Sequence, residues 1–378
     1  MAIKESFFSV HYDLILRNEN AHYDLFVNAS SLKEKERFVR IFPRGDHLSE
    51  FDLSSFKTKY LQLYVPESQR HLYMQSLVKS GVYTDVEKAN VLKSSALNYL
   101  NQIFDKNKEF NTEVLSQSIE GCREVVELMV DVLDDYSIDD LKGLIGDLSF
   151  HDFYTYDHSI NVSMYCISIY KTLFPNAPRT EIVHAGLGGL LHDLGKIKIP
   201  TSILNNPGGL SQEEYEQIKK HPGFGIELLL SGQVKVQASI DLSIIARVVH
   251  EHHENIDGTG YPNKLKGEDI HLMAKVCTIA DFFDALTTKR SYNQIITVAE
   301  AANVMRKFRG KKLDEKIFDV FEKHLHFIRS DYTRDMILGS EFDPTLPYNF
   351  LPLTEIRLDK KHEFGKIKVL EKPKKPAP

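Results

Sequence analysis

The chain has 378 residues, 42% of them hydrophobic, which excludes intrinsic disorder as the default and leaves room for more than one buried core. A formal charge of −6 removes any global electrostatic case for binding long nucleic acid, although a small anion held by local groups stays open. Cys122, Cys166 and Cys277 sit in apolar helix-like stretches without the spacing of a zinc knuckle or redox pair, the N-terminus lacks a signal-peptide pattern, and no apolar run reaches the length of a membrane span; together these predict a cytoplasmic protein with buried thiols and no membrane insertion.

In chain order, residues 1–82 read as a β-rich domain. The runs Tyr12–Leu16, Tyr23–Val27, Phe38–Phe42 and Tyr60–Val65 are rich in aromatic and β-branched residues, with Asn, Asp, Gly and Pro between them. Pro66-Glu67-Ser68 then signals the start of a helix running to about Ser80. From about Thr84 the period turns helical, as in Ala89, Leu92, Ala96 and Leu100, and residues 83–150 are predicted to form a helical connector. Helical segments follow at 139–149, 153–173, 179–194, 212–230, 239–253, 273–289, 296–308 and 314–327, placing an α-helical domain over 151–341. Residues 342–378 lose this period and read as an extended basic tail. The predicted fold class is therefore mainly α, a helical bundle preceded by a small β-rich domain.

His192-Asp193-Leu194-Gly195-Lys196 closes one apolar run. An adjacent imidazole and carboxylate can seed a dinuclear site, because one carboxylate bridges two cations while each keeps a nitrogen ligand. If the helix persists, Lys196 lies one turn on, where an ammonium can meet a phosphate or protonate a leaving oxygen. Alone, such a dipeptide is more commonly a surface or cap feature. His252 and His253 make a second pair, and neighbouring histidines on a helix point about 100° apart, so both serve one metal only where the helix end is distorted; Gly258 and Gly260 permit that. Asp281 and Asp284 share a face of an otherwise apolar helix, which is costly unless they are paired or bound to cations; the plainer alternative is that both face solvent or cap a neighbour. His158 and His221 complete the set, and each taken singly reads as a structural histidine.

In this order, His158-Ser, His192-Asp193-x-Gly195-Lys196, His221-Pro-x-x-Gly225, His252-His-Glu-x-x-Asp257-Gly-x-Gly260-Tyr261-Pro262 and Asp281-x-x-Asp284-Ala resemble the HD-GYP family of the HD phosphohydrolase superfamily, over about Asp152 to Phe327. The resemblance implies an all-helical domain that hydrolyses the bacterial second messenger cyclic di-GMP to pGpG, in some members on to GMP, by a metal-bridging hydroxide. It implies one metal held by His158, His192, Asp193 and Asp281 and another by His221, His252 and His253, with Asp193 bridging and Lys196 next to the scissile phosphate. Tyr261 and Arg290 take the places of ligand contacts, although without the resemblance Tyr261 reads equally as a packed turn residue and Arg290 as a helix cap. Some members hold a third metal through a glutamate where this chain has Tyr154, and a phenol is a poor substitute, so a dinuclear centre is expected. A mixed histidine and carboxylate set suits iron, with manganese as the alternative.

Arg290-Ser291-Tyr292 and Asn206-Pro207-Gly208 depart from the family's Arg-Pro-Tyr and Lys-Pro-Gly, which bears on substrate affinity and selectivity. Two alternatives to the phosphodiesterase therefore stand: a cyclic di-GMP receptor of low activity, signalling to a protein partner or as a homodimer through the N-terminal or connector regions, and a hydrolase of another nucleotide.

Overall fold

The computed structural model describes residues 5–30, 36–104, 111–148, 154–204, 210–230, 234–288 and 296–325. It is mainly helical, with a small antiparallel sheet at the N-terminus.

The N-terminal part holds β1 (Phe7–Val10), β2 (Glu19–Asn20), β3 (Leu25–Asn28), β4 (Phe38–Phe42), β5 (His47–Leu48), helix α1 (Glu50–Lys59) and β6 (Leu63–Pro66). Four of these strands form a sheet in the order β1-β6-β3-β4, and β2 pairs with β5. Alternation sends Val10, Leu25, Val27, Leu63 and Val65 to the buried face. Phe7, Phe26, Phe38 and Tyr64 make a ring cluster on the other, with Phe7 and Phe38 stacked at 4.1 Å. Two expectations are corrected here. Tyr12–Leu14 is a 3₁₀ turn and the edge strand lies just before it, because the Tyr12 hydroxyl donates to the Tyr60 carbonyl at 2.8 Å and pins that ring into the core. Helix α1, unanticipated by its mixed composition, starts at a capping box between Ser49 and Asp52.

The helices that follow are α2 (Arg70–Lys79), α3 (Asp85–Phe104), α4 (Thr112–Val132), α5 (Ile138–Asp147), α6 (Tyr154–Leu173), α7 (Arg179–Leu191), α8 (Thr201–Leu204), α9 (Gln212–Ile218), α10 (His221–Leu229), α11 (Leu242–Glu251), α12 (Leu272–Thr287), α13 (Val298–Arg306) and α14 (Glu315–Lys323). The signal at Pro66 is displaced: Pro66 ends β6, Glu67–Gln69 is a 3₁₀ turn, and α2 begins at Arg70. The run expected at 212–230 is two helices, since Pro222 has no N–H to continue the ladder, and His221 becomes the first residue of α10. The run expected to reach 194 stops at Leu191, and a 3₁₀ segment at Leu194–Lys198 follows.

One apolar core runs from Met74 to Leu325, so α3, α4 and α5 pack with the later helices; a smaller core holds the sheet, α1 and the Tyr73 and Leu77 face of α2. Helix α7 lies between α6 and α11, and α12 crosses α6 and α7. The α6–α7 approach is close because α7 offers glycines there: a Cβ on Gly189 would stand 2.8 Å from Cys166 Sγ and 3.1 Å from Ser163 Cα. This crossing sets the C-terminal end of α7 beside the first turns of α6.

Candidate metal centre

Five helices converge their ends or sides on one point. His158 comes from α6, His192 and Asp193 from the end of α7, His221 from the start of α10, His252 and His253 from the end of α11, and Asp281 from the middle of α12. Gly195 is what brings the α7 end onto α10. A Cβ there would lie 1.8 Å from the His221 carbonyl oxygen and 2.6 Å from Gly225 N, so only a hydrogen fits. The helix does not persist through Lys196 as the spacing suggested, yet the 3₁₀ turn still sets its ammonium against Asp193 Oδ2.

Their ligand atoms form overlapping groups, His158 with His192 and Asp281, His221 with His252 and His253, and His192 with Asp193 and His252, within each of which all lie inside 4.8 Å. Asp193 faces both ways: Oδ2 is 3.3 Å from His192 Nε2, and Oδ1 is 3.4 Å from His221 Nε2. The histidine tautomers follow from the outer contacts. His192 Nδ1 lies 2.8 Å from the Gly189 carbonyl, His221 Nδ1 2.8 Å from that of Ile218, and His252 Nδ1 2.9 Å from that of Val249. A carbonyl oxygen only accepts, so each Nδ1 carries the hydrogen and each Nε2 lone pair points inward. His221 Nε2 and His252 Nε2 stand 3.2 Å apart; two lone pairs at that separation repel, and a cation between them converts the repulsion into coordination. On this donor chemistry the residues fit divalent metals.

His158 is oriented differently. Its Nδ1 lies 2.7 Å from Asp284 Oδ2 and its Nε2 2.9 Å from Asp281 Oδ1. Asp284 Oδ1 also accepts from Asn161 Nδ2 at 3.0 Å and Thr288 Oγ1 at 2.7 Å. Both acids of α12 are buried, at 2% exposure for Asp281 and 0% for Asp284, so neither faces solvent. Asp281 faces the cluster, and Asp284 holds a histidine from behind.

The electrostatics are those of a buried, charged site. Burial alone would lower the His158 pKa, but hydrogen bonds and charge from Asp281 and Asp284 outweigh it and raise the pKa to about 9. Burial pushes His221 down to about 4, against the pull of Asp193. Burial, reinforced by neighbouring histidines, holds His252 and His253 well below the ordinary imidazole value. For Asp193 the burial penalty is overcome by Lys196 and then His192, which hold it well below the usual carboxylate range; for Asp281 it is overcome mainly by His158. A metal requires neutral imidazoles and ionised carboxylates, and apart from His158 these directions supply them.

Beyond His253 the chain turns sharply. A Cβ on Gly260 would stand 2.3 Å from Asn255 N and 2.6 Å from the His253 carbonyl, and Gly258 has φ +84, outside the range most side chains adopt. Buried Glu254 ties the loop from within, accepting from Asn263 N at 2.6 Å and Leu265 N at 2.9 Å. The Tyr261 ring stacks on His253 at 4.7 Å with 23° between planes. The same ring lines an open groove of about 580 Å³ whose wall carries Lys219, Lys220, Lys264 and Lys312; Glu216 is the one acid among its described lining residues.

The family model described as HD domain matches residues 150–317. Over these residues the chain matches the HD domain family. The chain is 38% identical over 172 residues to the cyclic di-GMP phosphodiesterase PA4108 of Pseudomonas aeruginosa, covering 46% of this chain and 39% of that protein. It is 31% identical over 182 residues to the 3'3'-cGAMP-specific phosphodiesterase 3 of Vibrio cholerae, covering 48% of this chain and 37% of that one. The chain thus spans about two fifths of the length of these relatives. Among solved structures, Bd1817, a HDG"Y"P protein from Bdellovibrio bacteriovorus, aligns with a TM-score of 0.52 over 84% of this chain and 99% of that one; at 19% identity this is a likeness of fold.

Of the residues predicted for the HD domain's site, His158, His192, Asp193, Lys196, His221, His252, His253 and Asp281 come together, and Tyr261 lies beside them. Arg290, with Ser291 and Tyr292, lies outside the described residues, as do Asn206-Pro207-Gly208, the tail and the side chain of Tyr154. Three placements were missed. The spacing of Asp284 singles it out, but its partner on α6 is 126 residues away. Glu254 follows the paired histidines, and only its burial marks it. Lys312 carries no local signal at all.

Proposed function

We propose that the HD domain is a metal-dependent phosphodiesterase that cleaves a cyclic dinucleotide, with cyclic di-GMP as substrate and pGpG as first product. The observation that carries this reading is the pair of donor groups on either side of the Asp193 carboxylate, one oxygen toward each, with His253 of the second group also lining a lysine-walled groove. His158, His192, Asp193 and Asp281 would hold one divalent ion and His221, His252 and His253 the other, with iron proposed and manganese the alternative. When bound, the ions supply water activation and neutralise charge on the reacting phosphate. The chain's own contribution is positional and electrostatic. The backbone carbonyls behind His192, His221 and His252 aim their Nε2 atoms, Asp284 aims His158, and Asp193 sets the spacing. Lys196 places an ammonium against Asp193, where it would offset charge developing in the transition state or deliver a proton to the leaving 3' oxygen. Tyr261 offers aromatic surface to a base in the groove.

The test is metal analysis coupled to product chromatography on protein purified without oxygen. Two metal ions per chain and conversion of cyclic di-GMP to pGpG are expected, with His192→Ala and Asp193→Ala losing both; metal-loaded wild type that binds cyclic di-GMP and releases no product on prolonged incubation would select a receptor instead. The 3'3'-cGAMP-specific relative supports a second reading, hydrolysis of a mixed cyclic dinucleotide. Rates on a small substrate panel decide between the two.

A further inference from the structure

A cyclic dinucleotide carries two phosphodiesters in one small macrocycle. When one lies at the metal centre the other is a short distance away, so a group that holds it must border both the centre and the groove. A narrow cavity of about 20 Å³ lies against His252, His253 and Asp281, and among the described residues His253, Asn255 and Lys312 line both it and the broad groove. Lys312 is the cation of the three. Its backbone is fixed by the loop that follows the paired histidines: the Lys312 carbonyl accepts from Ile256 N at 3.4 Å, and the neighbouring Lys311 carbonyl accepts from Asp257 N at 2.9 Å. Its ammonium lies 5.5 Å from the centre of the Phe308 ring, which steadies the stem. Lys264, held in a left-handed backbone conformation at φ 56, stands on the same groove.

Resting on the phosphodiesterase reading above, we propose that Lys312, with Lys264, binds the phosphate of the cyclic dinucleotide that is not being cleaved and so confers preference for a two-phosphate ring over simple diesters. An ammonium holds phosphate as a point charge, so the contact depends on charge more than on shape.

The experiment compares wild type, Lys312→Met, Lys312→Arg and Lys264→Met on cyclic di-GMP and on bis(p-nitrophenyl) phosphate, a diester with a single phosphate. Methionine keeps the packed stem and removes the charge. For Lys312→Met, KM for cyclic di-GMP should rise about tenfold or more, with kcat and the small diester changed by no more than about twofold, and arginine should restore most of the loss. Calorimetric affinity of the metal-loaded protein for cyclic di-GMP should weaken in parallel and lose part of its salt dependence. Equal losses on both diesters, or no change on either, would overturn the proposal. If wild type cleaves neither diester, the phosphodiesterase reading fails; calorimetry then decides the lysine site by itself, with an affinity that Lys312→Met weakens upholding it and absent or insensitive binding ending it.

Discussion

Asp284 is wholly buried, and His158 Nδ1, Asn161 Nδ2 and Thr288 Oγ1 all lie within hydrogen-bonding distance of its carboxylate. An ion so placed is stable because its lone pairs are used, and the same contacts fix the face of the His158 ring. Asp284→Asn keeps the size and the Oδ1 contacts but loses the charge behind His158. Metal affinity should fall about 10- to 100-fold, read by competition with a coloured chelator, while an unchanged affinity would show that His158 needs no such support. The spacing of Asp281 and Asp284 showed that two acids on an apolar helix require compensation. It did not show which partner each one takes, because both partners lie on α6, far away in the chain.

Between elements, two buried polar contacts tie the helices around the centre. Lys93 of α3 and Asp157 of α6 form an ion pair at 2.7 Å, each 2% exposed, directly beside His158 in sequence. Lys93→Met should lower stability in urea by about 3–5 kcal/mol because it leaves a buried charge behind. The double change of Lys93→Met with Asp157→Leu should recover part of that, and a single change as mild as a surface substitution would refute it. His184 of α7 accepts from Asp241 N at 3.0 Å through Nε2, at the cap of α11. Burial lowers its pKa, with Asp241 and Glu181 pulling weakly the other way. The folded state therefore resists a proton that the unfolded state takes up, and this contribution is complete above about pH 6.5 and falls away as the pH drops below that value. Metal-free wild type should lose more stability on acidification than His184→Gln, whose amide accepts the same hydrogen bond without titrating. Parallel pH profiles would remove His184 as a cause. Pro222 marks the split between α9 and α10 locally, but the apolar period continues across it and by itself predicts one run.

Across the whole molecule, the centre draws ligand atoms from five helices of one continuous core, so an unfolded chain cannot reproduce it. Chelation should therefore lower the melting temperature, and restored metal at about 100 times Kd should return about 2.7 kcal/mol. Scanning calorimetry before and after metal removal measures this, and a melting temperature indifferent to metal would contradict binding in the native state alone. The N-terminal sheet shares this organisation through α2, which sends Met74 into the helical core and Tyr73 and Leu77 into the other.

The residue identities, their glycine and proline punctuation and the change from strand to helix period are local properties of the chain, and they were sufficient to mark the helical class, while the seven side chains that converge were marked as a set only by the resemblance of their motifs to a known family. Ring orientation, the backing of His158 by Asp284 and the placing of Lys312 beside His253 depend on how α6, α12 and the α13–α14 turn cross one another. Those crossings are set by side-chain packing among residues a hundred or more positions apart, a quantity that no local pattern contains.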